Sequence, residues 1–252
     1  MVEIMHKFPK ILHSLCLVVL CCLAACSLKE RTDPLPPTFL EGAPLESTIP
    51  EIPFQHAWAA SREAITPYDS VYIKPVRIDL LPADEWKRSR GFATLSQEDF
   101  EKDAALLARY FRIRLLGELN RVSAKRFAVV ATPNEKTITV EIALTELVLS
   151  EPILRILAIA APVPGVDLAL SAFSDPHVAF AARFVAPDGS TLLGTVADRR
   201  FPPLRVIDLN KLRARSSARE IIAQWARELA ESIQREELRT VKKSSWISLW
   251  IW

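Results

Sequence analysis

Cysteine and histidine are the side chains here best suited to chemistry at ordinary pH, and both are scarce beyond the N-terminus. All four cysteines (Cys16, Cys21, Cys22 and Cys26) fall within the first 26 residues. Beyond them no thiol remains to form a disulfide, attack a carbonyl or bind zinc. His6 and His13 share that stretch, which leaves His56 and His177. A serine triad would need one of these two as its base. The chain has no Gly-x-Ser-x-Gly turn, however, and its six glycines are scattered instead of forming a phosphate-binding loop. His56 stands just before Ala57-Trp58, and His177 follows Asp175-Pro176 at the start of a strand. Each is read as an exposed or capped side chain, and two histidines without cysteines are too few for a zinc site. The carboxylate pairs Asp84/Glu85, Glu98/Asp99 and Glu236/Glu237 are adjacent in sequence. Solvation and helix-dipole matching explain them without acid–base work. No catalytic residue, metal or cofactor is assigned, and the expectation is a protein that is not an enzyme.

The modification chemistry lies at the start of the chain. His6, Lys7 and Lys10 precede an apolar core, Leu15 to Leu23. That core is too short to span a bilayer, which takes about 20 residues, and suits a cleaved signal. It ends in Leu23-Ala24-Ala25-Cys26, which resembles the lipobox of bacterial lipoproteins. The resemblance implies removal of residues 1–25 and a lipid (palmitate or another acyl chain) on the sulfur of Cys26. Ser27, where aspartate would retain a lipoprotein at the inner membrane, implies the outer membrane and a periplasm-facing domain.

Charge is nearly balanced, with 32 basic and 30 acidic residues, so there is no electrostatic footprint for nucleic acid. Residues 26–54 carry Pro34, Pro36, Pro37, Pro44, Pro50 and Pro53 and read as a semi-rigid tether. Residues 55–240 read as the periplasmic domain, and residues 241–252 as a tryptophan-rich tail.

Within the domain, Asp69 to Asp79 is β-branched and aromatic and predicts a strand, with Pro75 favouring an edge or bulge. Residues 82–95 read as a polar loop. Ser96 opens a helix whose Phe100, Ala104, Leu107, Phe111 and Leu115 share one stripe. Phe127–Ala131 and Thr137–Val148 are expected to pair as a hairpin through Pro133-Asn134-Glu135-Lys136. Ile138, Val140, Ile142 and Leu144 alternate there with Thr139, Glu141, Ala143 and Thr145, so one face is buried. A second hairpin, His177–Ala186 and Thr191–Arg200, turns at Pro187-Asp188-Gly189-Ser190. A last helix is expected over 208–240, capped at Ser217-Ala218-Arg219-Glu220 and burying Ile222, Trp225, Leu229 and Ile233. The fold class is therefore a single α+β domain. Its antiparallel-rich sheet has about five strands, packed by two main helices, with an apolar insert at residues 152–173.

Several segments together resemble a bacterial lipoprotein family, domain of unknown function 3313. They are Phe39-Leu40, the Tyr68–Val76 strand, the Thr137–Leu147 strand, Val196-Ala197-Asp198-Arg199-Arg200, Ala218-Arg219-Glu220 and Trp225-Ala226-Arg227-Glu228-Leu229. The likeness covers about residues 39–235. It implies a lipoprotein fold but brings no activity, substrate or catalytic residue.

Three surfaces are candidates for contact. Arg199, Arg200, Arg205, Lys211, Arg213 and Arg215 form a basic cluster suited to envelope anions, unless it is merely a solvated face. Ile153, Leu154, Leu157 and Ile159 in the apolar insert, and Trp246, Trp250 and Trp252 in the tail, suit a protein partner, lipid or hydrophobic ligand. The reading is a lipid-anchored envelope protein that binds a partner or belongs to an assembly. A carrier or sensor of a hydrophobic small molecule, using residues 152–173, is the alternative. An envelope hydrolase ranks third.

Overall fold

Ile138, Val140, Ile142 and Leu144 in the strand Thr137–Val148 are all at most 4% exposed, and their alternation decides which side of the sheet is core. The computed structural model describes Phe39 and residues 52–89, 96–123, 125–149, 177–201 and 214–234. These residues all belong to one compact unit, Pro34–Trp252. In chain order the elements are β1 (His56–Ala59), α1 (Arg62–Ile65), β2 (Ser70–Ile73), α2 (Glu85–Arg88) and α3 (Gln97–Arg121). They continue with β3 (Ala128–Val129), β4 (Thr137–Val148), β5 (His177–Val185), β6 (Leu192–Arg200) and α4 (Ala214–Ile233).

The α+β reading holds, but the sheet is mixed, with six strands in the order β1-β6-β5-β4-β2-β3. The pairs β1–β6, β6–β5 and β5–β4 are antiparallel, whereas β2 is parallel to both β4 and β3. The first expected hairpin does not form. β2 lies between β3 and β4, with Val71 opposite both Val129 and Ile138. The physical reason is that two parallel strands need a long crossover, and α3 supplies it between β2 and β3. The turn at Asn134 is real and is built by side chains. Its amide oxygen accepts from Lys136 N–H at 2.8 Å and from Thr137 Oγ1 at 3.0 Å. The second hairpin forms as expected, with Gly189 at φ 74°, a conformation that favours glycine.

Both long helices lie on the core side. The α3 stripe is buried at all five expected positions. On α4, Ile222, Trp225 and Leu229 are fully buried and Ile233 nearly so. Ser96 caps α3, its Oγ accepting from Asp99 N–H at 3.1 Å. Phe111, Phe180 and Trp225 meet where the two helices cross the sheet. Phe111 packs edge-on to Phe180 at 5.5 Å, and Phe180 lies 4.7 Å from Trp225. Each such contact adds about 0.5–1.5 kcal/mol beyond the area it buries.

Other expectations need correction. The first strand is regular only over Ser70–Ile73; Pro75 interrupts the ladder, as a bulge would, and the chain rejoins β4 at Arg77, whose N–H donates to Ile142 C=O and whose C=O accepts from Leu144 N–H, both at 2.9 Å. Residues 56–59, to which no element was assigned from the sequence, form edge strand β1. Ser217 lies inside α4, so Ser217–Glu220 is not its cap, and α4 ends at Ile233, short of 240. The stretch read as a tether supplies core residues: Phe54 is 4% exposed, Ile52 packs beside it, and Phe39 is 3% exposed on the far face of the sheet.

Three stretches of strand backbone are closed by side chains, a recurrent answer to the exposed-edge problem. Gln55 bonds both the N–H and the C=O of Arg199, each at 3.2 Å. Gln234 does the same for Phe127, each at 2.9 Å. Where β2 ends, the upper part of β4 is met by Glu85, which accepts from Leu147 N–H at 2.8 Å. Ser89 Oγ there accepts from Leu149 N–H and donates to Leu147 C=O, both at 3.0 Å. Glu85 had been read as a solvated loop carboxylate. It is 0% exposed because β4 lacks a strand neighbour on that side once β2 has ended.

Candidate functional site

Asp198 and Arg200 occupy alternate positions of β6 on the core side, opposite Phe180 and Val178. Trp225 and Glu228, three apart on α4, face them. Arg200 Nε donates to Asp198 Oδ2 at 2.7 Å, and its Nη2 donates to Glu228 Oε2 at 2.6 Å. Trp225 Nε1 donates to the same Asp198 oxygen at 2.8 Å. Arg200 Nη2 also reaches the Pro53 carbonyl at 3.2 Å, and Gln55 N–H reaches Asp198 Oδ1 at 3.3 Å. All four network residues are at most 7% exposed. A buried charge is tolerable when paired and bonded in this way. Buried and bonded in this way, the network acts as a lock between sheet, last helix and incoming N-terminal chain.

The opposite face of the sheet carries a different arrangement. Ala143, Ala181 and Ala197 sit in register across β4, β5 and β6. Their small side chains leave a floor on which Phe39 lies. The guanidinium of Arg183 is 5.1 Å from the Phe39 ring centre and that of Arg77 is 5.7 Å away, giving the ring a cationic frame. Arg183 and Lys74 both bond Glu141, each at 2.5 Å. Burial alone would push the Glu141 carboxyl up, but these two cations hold it below the usual carboxylate range.

At the end of that face, Glu146 and Arg199 flank Ala179 in register and pair with each other. His177 Nε2 lies 3.1 Å from the other carboxylate oxygen, a charge contact whose geometry falls short of a full hydrogen bond. Burial raises the Glu146 pKa, and contacts from His177 and Arg199 outweigh it, so the group stays below its ordinary value. His177 is therefore oriented by a carboxylate, as a general base would be, but that carboxylate is shared with an arginine. The His177 ring lies 5.7 Å from that of Phe201, which is 42% exposed. His56 sits on edge strand β1 opposite Ala197, on the same face.

The candidate residues are thus dispersed. Arg199 and Arg200 do not form one anion-binding surface: one pairs with Glu146 on the opposite face of the sheet, and the other is buried in the core network. Arg205, Lys211 and Arg213, the side chain of Arg215, Cys26, the residues Ile153, Leu154, Leu157 and Ile159, and Trp246, Trp250 and Trp252 lie outside the described residues. Among the described residues no group of three or more His, Cys, Asp or Glu could hold a metal ion, and no helix is long and apolar enough to cross a membrane. Sequence reading missed Asp198, Glu228, Glu146 and Gln55 as members of networks. The available signal was parity: Asp198 and Arg200 share the buried phase of Val196.

Two segments of the family resemblance, 196–200 and 225–229, are the ones that form the core network. The chain is an α+β domain protein of a family defined by its fold elements. It belongs to the family described as protein of unknown function (DUF3313), whose model matches residues 54–229. No curated protein matches the chain. Among solved structures, it is similar to the PelC dodecamer from Paraburkholderia phytofirmans, at 9% identity and a TM-score of 0.38. The match covers 72% of this chain and 99% of that one. A single-substitution variant of that PelC matches at 9% identity and a TM-score of 0.35, covering 72% and 98%.

Proposed function

We propose that the protein is a lipid-anchored, non-enzymatic component of the cell envelope, held at the outer membrane through Cys26 with its domain in the periplasm, where it binds a protein partner. The observation that carries the reading is the sequence Leu23-Ala24-Ala25-Cys26 closing a short apolar core. The disposition of polar groups supports its second half. Asp198, Arg200 and Glu228 are spent on locking the fold, Glu141 is held by two cations, and Glu146 pairs with Arg199 and contacts His177. With more than one acyl chain the attachment is firm, since a single chain gives only about 10⁴ M⁻¹.

Intact mass spectrometry of the membrane-extracted protein tests the anchor. Loss of residues 1–25 with acyl mass on Cys26 is expected; an intact Met1 terminus or an unmodified Cys26 refutes it. For the absence of chemistry, a His56→Ala, His177→Gln double variant that folds should retain whatever phenotype the protein confers. Loss of that phenotype in the folded variant returns the hydrolase reading.

A further inference from the structure

The buried apolar residues of this domain fall into two separate clusters. The large one fills the space between the sheet and the long helices. The small one is Phe39 with Ala143, Ala181 and Ala197, beside the partly buried Leu80. It lies on the other face, so the sheet itself stands between the two. Phe54 belongs to the large cluster, its ring edge-on to Phe180 at 5.8 Å. The incoming chain is therefore fastened at two places of unequal strength.

The seat under Phe39 is built without it. Arg183 is held by Glu141, Nε to Oε2 at 2.5 Å, and Lys74 bonds the other Glu141 oxygen. Arg77 is held by Asp79, through Nε at 2.9 Å and Nη2 at 2.5 Å. Strand pairing sets Ala181 opposite both Ala143 and Ala197. None of these contacts passes through the ring, so none breaks when the ring leaves. What is lost is the burial of one side chain and its contacts with two guanidinium groups. Folded proteins open locally at every cost up to that of global unfolding, and segments with few buried contacts lie at the low end. We infer that Phe39 is a latch: its ring leaves the sheet while the rest of the domain stays folded. Opening bares an intact seat, three alanines between two arginines, shaped for an aromatic side chain. This goes beyond the proposed envelope role and stands whether or not Cys26 is acylated.

Thiol labelling of the full-length chain under native conditions tests the latch. Ala181→Cys puts a thiol under the ring, and Ala182→Cys puts one in the main core a single residue along. Both are treated with a maleimide once a urea midpoint close to that of the unaltered chain shows that they fold. Peptide mapping then separates the new thiol from the native cysteines. Position 181 should react about tenfold faster than position 182, or more, at a rate that low urea barely changes, because a local opening exposes little surface. Adding Phe39→Ala should speed position 181 by about a further tenfold and leave position 182 unchanged. If Ala181→Cys does not fold, Ala143→Cys probes the same floor. Equal rates at 181 and 182, both rising steeply with urea, overturn the inference, because the ring would then leave only on global unfolding. An unchanged rate at 181 with Phe39→Ala overturns it too, since something other than the ring would shut the floor. Faster labelling at 182 with Phe39→Ala does the same, since the ring would then be holding the domain itself together.

Discussion

Trp225 Nε1–H donates to Asp198 Oδ2 at 2.8 Å, joining the last helix to β6 through an oxygen that also accepts from Arg200. Two segments that look unrelated in the sequence thus become one polar cluster inside the core. Removing one member leaves the others buried and short of a partner, which costs more than the pair itself contributes. Glu228→Ala should therefore destabilise the protein by about 3–5 kcal/mol, read as a lower urea midpoint. Replacing Arg200 and Glu228 by leucine and methionine and Asp198 by asparagine, whose oxygen can still accept from Trp225 Nε1–H, should recover much of that loss. A triple replacement as damaging as Glu228→Ala alone would show that the charges, and not their unpaired burial, set the energy.

Gln234 bonds both backbone groups of Phe127. Gln234→Ala should cost about 1–3 kcal/mol for each group left unsatisfied and speed hydrogen exchange at the Phe127 amide. Unchanged exchange would mean that the loop before β3 does not depend on the end of α4.

Asp188 in the β5–β6 turn accepts from Thr191 Oγ1, Thr191 N–H and Ser190 N–H, which holds its pKa at about 2. An unfolded aspartate titrates near about 4. The turn's contribution is therefore present above about pH 4 and is lost as pH falls through about 2. Asp188→Asn should flatten that acid limb of a stability–pH curve while leaving the neutral region nearly level. A wild-type curve already flat between those pH values would count against the bonding at the turn.

Glu146 follows the same sign, its pKa lowered overall by His177 and Arg199 despite burial. Its stabilising effect is complete above the ordinary glutamate range and fades as pH drops below it. Glu146→Gln should remove about 1–3 kcal/mol at neutral pH, because it leaves Arg199 short of its carboxylate in a mostly buried setting. It should cost nothing further in acid. Thermal melts at neutral and acid pH compare the two.

Much of this fold was legible because periodicity reports which face of an element is buried. The stripe from Phe100 to Leu115, the alternation of Ile138 to Leu144 and the turn at Asp188-Gly189 all reported correctly. Periodicity says nothing about which strand is the neighbour. The insertion of β2 between β3 and β4 was invisible for that reason, although the strand patterns themselves were visible. β1 was missed because four residues among prolines carry too little pattern. Gln55, Gln234 and Glu85 are polar residues that gain meaning only from a strand's unpaired backbone, which no local signal records. His177 was singled out, but its partner Glu146 follows Ile142 and Leu144 in parity, and only the register shift between Leu144 and Glu146 turns it to the other face.

Phe39 on its alanine floor has a consequence for reach. Thirteen residues separate Cys26 from Phe39, and twenty-eight separate it from Phe54. Fully extended chain spans at most about 3.3–3.6 Å per residue. With the lipid on Cys26, the pinned ring limits the leash to about 45 Å, against about 95 Å if only Phe54 held the chain. Were Cys26 acylated, the ring's grip would cap the height the domain could reach over the bilayer, and with it which neighbours come within range.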